Sequence, residues 1–264
     1  MVSNFLKSRR EGLSLNTIDF YEGYLRRASG VISLRVTNQD IARFLKSLSC
    51  TDGGKHAYYR TLRAFYNWLY STKSGYGLKA SDNPILGVDA PKEGGKILPS
   101  LALEQVEYII DRAGCARDRA IVSLFNDSGL RLKELTDIVP KNIDWDRRLI
   151  KVKVKGGKEG YALFGARTET LLKEWLKEYT ANGRLWNIGD EGISDMLERL
   201  SVKTGITFTA HTFRRTFASI LAKRGVDSLH IKRLGRWESM AMVEHYTRSV
   251  KFEDSMRFYT AIVS

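Results

Sequence analysis

Cysteine is almost absent: two in 264 residues, Cys50 and Cys115, with no CxxC spacing. That excludes a disulfide framework and a thiolate metal site, and it suits a reducing cytoplasm. No apolar run approaches the roughly 18 residues that span a bilayer. Met1 to Arg10 carries charges with no apolar stretch behind it, so neither a membrane span nor a secretion signal is expected. The common catalytic strings are missing as well: no GxSxG, no HExxH and no GxxxxGK[ST], and the four histidines (His56, His211, His230, His245) are scattered. Metal catalysis finds no support in the sequence, and no cofactor is expected.

Positive charge is what the chain has in excess. Its 43 Lys and Arg against 30 Asp and Glu leave +13, of which residues 1–100 hold +7 and residues 101–264 hold +6. The excess is spread through the body, as it is where both halves of a protein face one polyanion. Charge alone leaves open a basic protein with no nucleic-acid role. Hydrophobic residues at 43% and aromatics at 11% describe a folded globular chain, not a disordered basic tail.

Periodicity divides the chain in two. Over Asn16 to Arg27, Ile18, Tyr21 and Leu25 share a helix face. Thr37 with Asp40 reads as a variant capping box ahead of Ile41, Phe44, Leu45 and Leu48. Tyr58, Leu62, Phe65, Tyr66 and Leu69 form an aromatic-rich stripe on a third helix. Arg26, Arg27, Arg43, Lys46, Arg60 and Arg63 lie among these stripes, as on helices pressed against phosphates or equally as solvated faces. From Asn83-Pro84 to Lys96, prolines, glycines and charges interrupt all periodicity, which predicts a helical domain over 1–90, a linker over 91–98 and a second domain over 99–264.

In the second domain Ser100 is a candidate cap for a helix bearing Leu103, Val106, Ile109 and Ile110. A helix from about Ala116 should stop at Ser128-Gly129, and a short one should begin near Leu130. Ile150, Val152 and Val154 alternate with Lys151, Lys153 and Lys155, and Gly156-Gly157 turns the chain toward Tyr161 to Phe164, a small hairpin with a basic face. The remainder is mostly helical, including a segment opening near His211. The fold class is mainly α with a small β-sheet.

The candidate chemistry is a set of basic and polar residues in this half: Arg131, Lys155, His211, Arg214, Trp237 and Tyr246. Singly each has a plain reading: Arg131 as a surface charge, His211 as a satisfied helix histidine, and Tyr246 as one of twelve tyrosines. In order they run Arg131 in Ser-Gly-Leu-Arg, Lys155 24 residues on, His211-x-x-Arg214, Trp237 in Leu-Gly-Arg-Trp, and Tyr246 nine residues later. This ordered set resembles that of the tyrosine recombinases, the phage-type integrases, over nearly the whole chain. Lys158 competes for the lysine, although the spacing from Arg131 favours Lys155.

The resemblance implies a helical core-binding (SAM-like) domain and a catalytic domain that together clamp duplex DNA. It implies a site-specific recombinase or integrase that cleaves and rejoins DNA through a covalent 3′-phosphotyrosine, without metal or ATP. Tyr246 would be the nucleophile, Arg131 and Arg214 the phosphate cations, Lys155 the general acid, His211 a phosphate contact aiding proton transfer, and Trp237 a single N–H donor. Arg236 and Trp237 stand where many members have histidine in Leu-Gly-His, with tryptophan used in the Cre branch, and Arg215 where a histidine often follows the second arginine. The layout resembles the Xer and Cre branches, without the arm-binding domain of lambda-type integrases, and the string around Tyr246 resembles archaeal members encoded by mobile elements. A homotetramer on synapsed DNA, acting at the nucleoid in the cytoplasm, is the implied assembly.

Two other functions remain open: relaxation of supercoils in the manner of a type IB topoisomerase, and DNA binding without chemistry, against which the complete signature argues. The apolar tail from Lys251 either docks on its own domain or exchanges with a neighbouring subunit.

Overall fold

The computed structural model describes residues 1–92, 99–154, 156–180, 183–248 and 250–263, with the backbone alone at 257 and 259–263. Most of the expected linker, residues 93–98, lies outside the described residues, as does Lys155. The chain divides into two compact units, Met1–Lys96 and Ile97–Ser264.

The first unit consists of α1 (Val2–Arg9), α2 (Leu15–Arg27), α3 (Asn38–Ser47) and α4 (Asp52–Leu69), with a short 3₁₀ turn between α2 and α3 and others following α4. Ser14 caps α2, and Thr37 and Asp40 close a reciprocal capping box on α3, Asp40 N–H to Thr37 Oγ1 at 3.2 Å and Thr37 N–H to Asp40 Oδ2 at 3.1 Å. Leu62, Phe65, Tyr66 and Leu69 of α4 are wholly buried. Phe5 anchors α1 edge-on to the Phe65 ring, 5.6 Å between centroids. With that one buried anchor, α1 shows no stripe that sequence periodicity could detect. The Tyr66 hydroxyl donates to the Val31 carbonyl, and burial pushes this phenol up to about 12.

The second unit holds α5 (Leu103–Arg112), α6 (Ala116–Ser128), α7 (Leu132–Thr136), β1 (Ile143–Asp144), β2 (Leu149–Lys153), β3 (Glu159–Leu163), α8 (Ala166–Glu178), α9 (Asp190–Thr204), α10 (Ala210–Lys223), α11 (Ser228–Leu234), α12 (Met240–Thr247) and α13 (Phe252–Val263). It is therefore mainly α with one small antiparallel sheet, of order β1-β2-β3, in which Ile150 faces Ala162 and Lys151 faces Tyr161. Ile150 and Ala162 turn to the core, while Lys151, Lys153 and Tyr161 turn to solvent.

Helix α6 is covered on every side, with Ala120, Ile121, Val122, Leu124 and Phe125 sealed from solvent, and it packs against α5, α8 and α10. A second, smaller cluster of Phe217, Ala218, Ile231, Trp237 and Val243 joins α10, α11 and α12. One expectation is corrected: Ser100 does not cap α5. That helix starts at Leu103, where Gln105 Oε1 accepts the Ala102 N–H at 2.9 Å. Ser100 and Leu101 are drawn instead toward α10, the Leu101 N–H donating to Thr216 Oγ1 at 2.8 Å.

Candidate active site

The site begins where α6 ends. Gly129 adopts φ +56°, and its N–H donates to the Phe125 carbonyl at 3.0 Å. A Cβ here would lie 2.6 Å from Phe217 Cδ1, so both the left-handed turn and the close packing require glycine. The turn drives Leu130 into the core and sets Arg131 at the cap position of α7.

Arg131 is held at two points by one carboxylate. Its N–H donates to Glu134 Oε2 at 3.0 Å and its Nη1 to Glu134 Oε1 at 2.6 Å. Glu134 is only 4% exposed. Burial would raise its carboxyl, but the charge of Arg236 and the bonds from Arg131 outweigh it and hold the group below its ordinary value.

Arg214 on α10 is 1% exposed and lies with its Cζ 4.4 Å from the centre of the Trp237 ring. Its Nη1 donates to the Gly129 carbonyl and its Nη2 to the Gly235 carbonyl, the latter at 2.6 Å. Burial first, then the charges of Arg131 and Arg236, bring its pKa down to about 9, so it stays cationic at neutral pH. His211 stands three residues earlier, at the open start of α10. Its pKa is lowered, by desolvation first and then by Arg214, Arg215 and Arg131, which leaves the imidazole neutral at pH 7. Beside Arg131, His211 and Arg214 opens a pocket of about 560 Å³, whose walls include Leu197, Ser201 and Phe208.

Trp237 is 4% exposed, and its ring lies so close to Gly235 that no side chain would fit there. Its indole N–H is buried with no hydrogen-bond partner among the described residues. Tyr246 sits on α12, half-buried, its ring 5.5 Å from that of Trp237 and tilted by 42°.

Five of the six sequence candidates, Arg131, His211, Arg214, Trp237 and Tyr246, thus gather around one pocket and one indole ring. The sixth, Lys155, lies outside the described residues. Its hairpin narrows where the Val154 N–H donates to the Lys158 carbonyl at 2.8 Å. The alternative, Lys158, is exposed. The basic face of the hairpin is partly neutralised, because Lys151 Nζ pairs with Glu159 at 2.7 Å. Sequence reasoning gave no role to Glu134 or Arg236. An acidic residue three positions past a helix cap would have signalled the first; no local pattern signals the second. The tail lies against its own unit: Phe258 of α13 abuts Gly225, and Asp254 is 3.9 Å from Lys223. The side chains of Tyr259, Ile262 and Val263 are outside the described residues.

Residues 99–252 match the phage integrase family. The tyrosine recombinase XerA of Saccharolobus solfataricus is 26% identical over 232 residues, 82% of this chain and 75% of that protein. The tyrosine recombinase XerC of Lactobacillus leichmannii is 31% identical over 209 residues, 71% of this chain and 69% of that protein. Among solved structures, XerH recombinase bound to a palindromic difH substrate superposes with a TM-score of 0.75 at 20% identity, covering 97% of this chain and 82% of that one. A lambda integrase dimer bound to a COC′ core site gives 0.76 at 16% identity over 95% of each chain. At these identities the structural likeness is one of fold.

Proposed function

The chain belongs to the phage integrase family and is a tyrosine-type site-specific recombinase, and we propose that Tyr246 is its nucleophile, acting on duplex DNA in a site built by Arg131, Lys155, His211, Arg214 and Trp237. The Tyr246 oxygen attacks the scissile phosphorus while the bond to O5′ breaks. The phenolic proton passes to neutral His211, and Lys155 supplies a proton to the departing O5′. The product is a 3′-phosphotyrosine and a free 5′-hydroxyl. Rejoining reverses each transfer, and because the ester bond energy is kept, it needs no ATP.

Attack on the phosphodiester builds charge on the non-bridging oxygens. Two fixed guanidiniums and an indole N–H already in place stabilise that charge without reorganisation. The observation that carries this reading is the sequence of contacts from Tyr246, its ring tilted against that of Trp237 at 5.5 Å, to Arg214, whose guanidinium carbon lies 4.4 Å from the same indole ring, beside a buried N–H awaiting an acceptor. A phosphate oxygen is the acceptor that suits it.

In the same proposal residues 1–90 form the core-binding domain, where exposed Arg26, Arg27, Arg43, Arg60 and Arg63 supply phosphate contacts, and residues 99–264 form the catalytic domain. The working assembly is a homotetramer on two synapsed duplexes, acting at the nucleoid; sedimentation of complexes on paired sites should find four chains per two duplexes. The direct test is incubation with nicked suicide duplexes followed by denaturing gels. Wild type should give a covalent protein–DNA adduct and Tyr246→Phe none. DNA binding without an adduct over varied sequences would instead favour a silent binding protein.

A further inference from the structure

Arg236 has the least ordinary backbone in the site. It adopts φ +55°, in the left-handed region that side chains rarely occupy, yet it is an arginine. Its side chain is 7% exposed. Its Nη2 donates to the Ser128 carbonyl at 2.9 Å, its Nη1 to the carbonyls of Leu234 at 2.8 Å and Tyr161 at 3.1 Å, and its Nε to Glu134 Oε2 at 3.4 Å. Four of five guanidinium N–H groups are thereby engaged by protein, which leaves this cation little to offer DNA.

These acceptors lie on separate elements: the end of α6, the buried acid of α7, the strand β3, and the last residue of α11, just ahead of the loop that carries Trp237. We propose that Arg236 is a positioning residue for strand cleavage, a buried strut that sets Arg131, Trp237 and the β2–β3 hairpin in one fixed relation. Toward Arg131 it acts through Glu134, whose other oxygen holds the Arg131 guanidinium. Toward Trp237 it acts directly, since the next residue inherits the direction of its left-handed backbone. Toward the hairpin it acts through the Tyr161 carbonyl, and so steadies the β2–β3 strand pair. The Ser128 bond also ties it to the Gly129 turn, whose carbonyl receives Arg214. A planar fork can meet acceptors in four directions; a lysine ammonium with three donors on one nitrogen cannot.

The inference rests on the catalytic roles proposed for Arg131 and Trp237, and its test separates the two. Arg236→Gly relaxes the backbone while removing the fork, so folding is not at risk from φ; Arg236→Lys keeps the charge. In single-turnover cleavage both variants should lose about 10- to 100-fold in rate, the size of effect expected from a displacement of about 1 Å in a reacting constellation, with DNA affinity within about twofold of wild type. The groups facing the Glu134 carboxyl are Arg131, Arg214 and Arg236. Without the last, Glu134 protonates at higher pH, and the acid limb of the rate profile should move upward in Arg236→Gly and less in Arg236→Lys.

A readout independent of activity is NMR of the Glu134 side-chain carboxyl and the Trp237 indole N–H; the titration should rise and the resonance should move. Wild-type rate with an unmoved acid limb overturns the proposal. So does a rate loss that tracks lost folding or DNA affinity while the pH profile stays put. If wild type itself forms no adduct, the recombination chemistry falls, and the strut is decided by the two NMR signals, of which an unmoved pair overturns it.

Discussion

The two halves of the site are built to different specifications. On the phosphate side, the guanidiniums of Arg131, Arg214 and Arg236 are fastened to one buried carboxylate and to main-chain carbonyls of Ser128, Gly129, Tyr161 and Gly235. On the side of Tyr246, the proposed nucleophile, α12 has one fully buried residue, Val243, and leans on a cluster of five buried side chains among the described residues. The first half is over-determined and the second lightly held. Stabilising developing charge requires dipoles and cations that do not reorganise, whereas a nucleophile that must bond to DNA and later leave it can sit on a segment whose local opening is inexpensive.

The largest expected effect strikes the fastened half. Arg214→Lys keeps a cation but abandons the forked reach to the Gly129 and Gly235 carbonyls, so cleavage should fall by about 10²–10³-fold, as when one donor is removed from an oxyanion-stabilising set. Adduct formation under single turnover measures it; a loss below tenfold would mean that this arginine is not part of a preorganised set.

Next comes the carboxylate at the centre. Glu134→Gln leaves the buried Arg236 and the half-buried Arg131 without their counter-charge and should cost about 3 kcal/mol of unfolding free energy in urea titrations. Because the folded carboxyl lies below its ordinary value of 4.5, its contribution is complete above that value and is lost as the pH falls through the folded one. The variant's stability should therefore be flatter than wild type across this acidic window, with the difference between them shrinking as the pH drops.

Val243→Ala addresses the other half. Removing two methyl groups from the small cluster should cost roughly 2 kcal/mol. If the halves are separately held, amide exchange should quicken in α12 and leave α6 and α7 unchanged. Exchange rising equally in all three would dissolve the distinction.

The same contrast explains what could be read in advance. The Gly129 cap, the Thr37–Asp40 box and the amphipathic stripes of α2, α4 and α5 follow local rules, and local rules are visible in sequence. The ordered spacing of Arg131, His211, Arg214, Trp237 and Tyr246 was legible as a set through its resemblance to the tyrosine recombinases, each residue being ambiguous alone. What escaped was non-local. Ser100 lost its capping role to partners more than a hundred positions away on α10, the two-residue strand β1 has too few residues to show alternation, and Arg236 finds acceptors at positions 128, 134 and 161. A single arginine in a loop has no period, so its purpose exists only once the chain has folded around it.

The smallest stability effect belongs to Trp237, where the halves meet. An unpartnered buried N–H costs about 1–3 kcal/mol, and Trp237→Phe deletes it. The substitution also leaves part of a ring's volume empty between Gly235, Phe217 and Arg214, a loss of similar size and opposite sign. Net stability should therefore shift by less than about 1 kcal/mol, far less than for Glu134→Gln. Cleavage should nevertheless fall about tenfold, a charge-assisted bond of roughly 1.5 kcal/mol to a phosphate oxygen having been removed. Equal losses of stability and rate would place the indole among the structural bonds of the fastened half; a rate loss on an almost unchanged fold would identify its N–H as a donor left vacant for substrate.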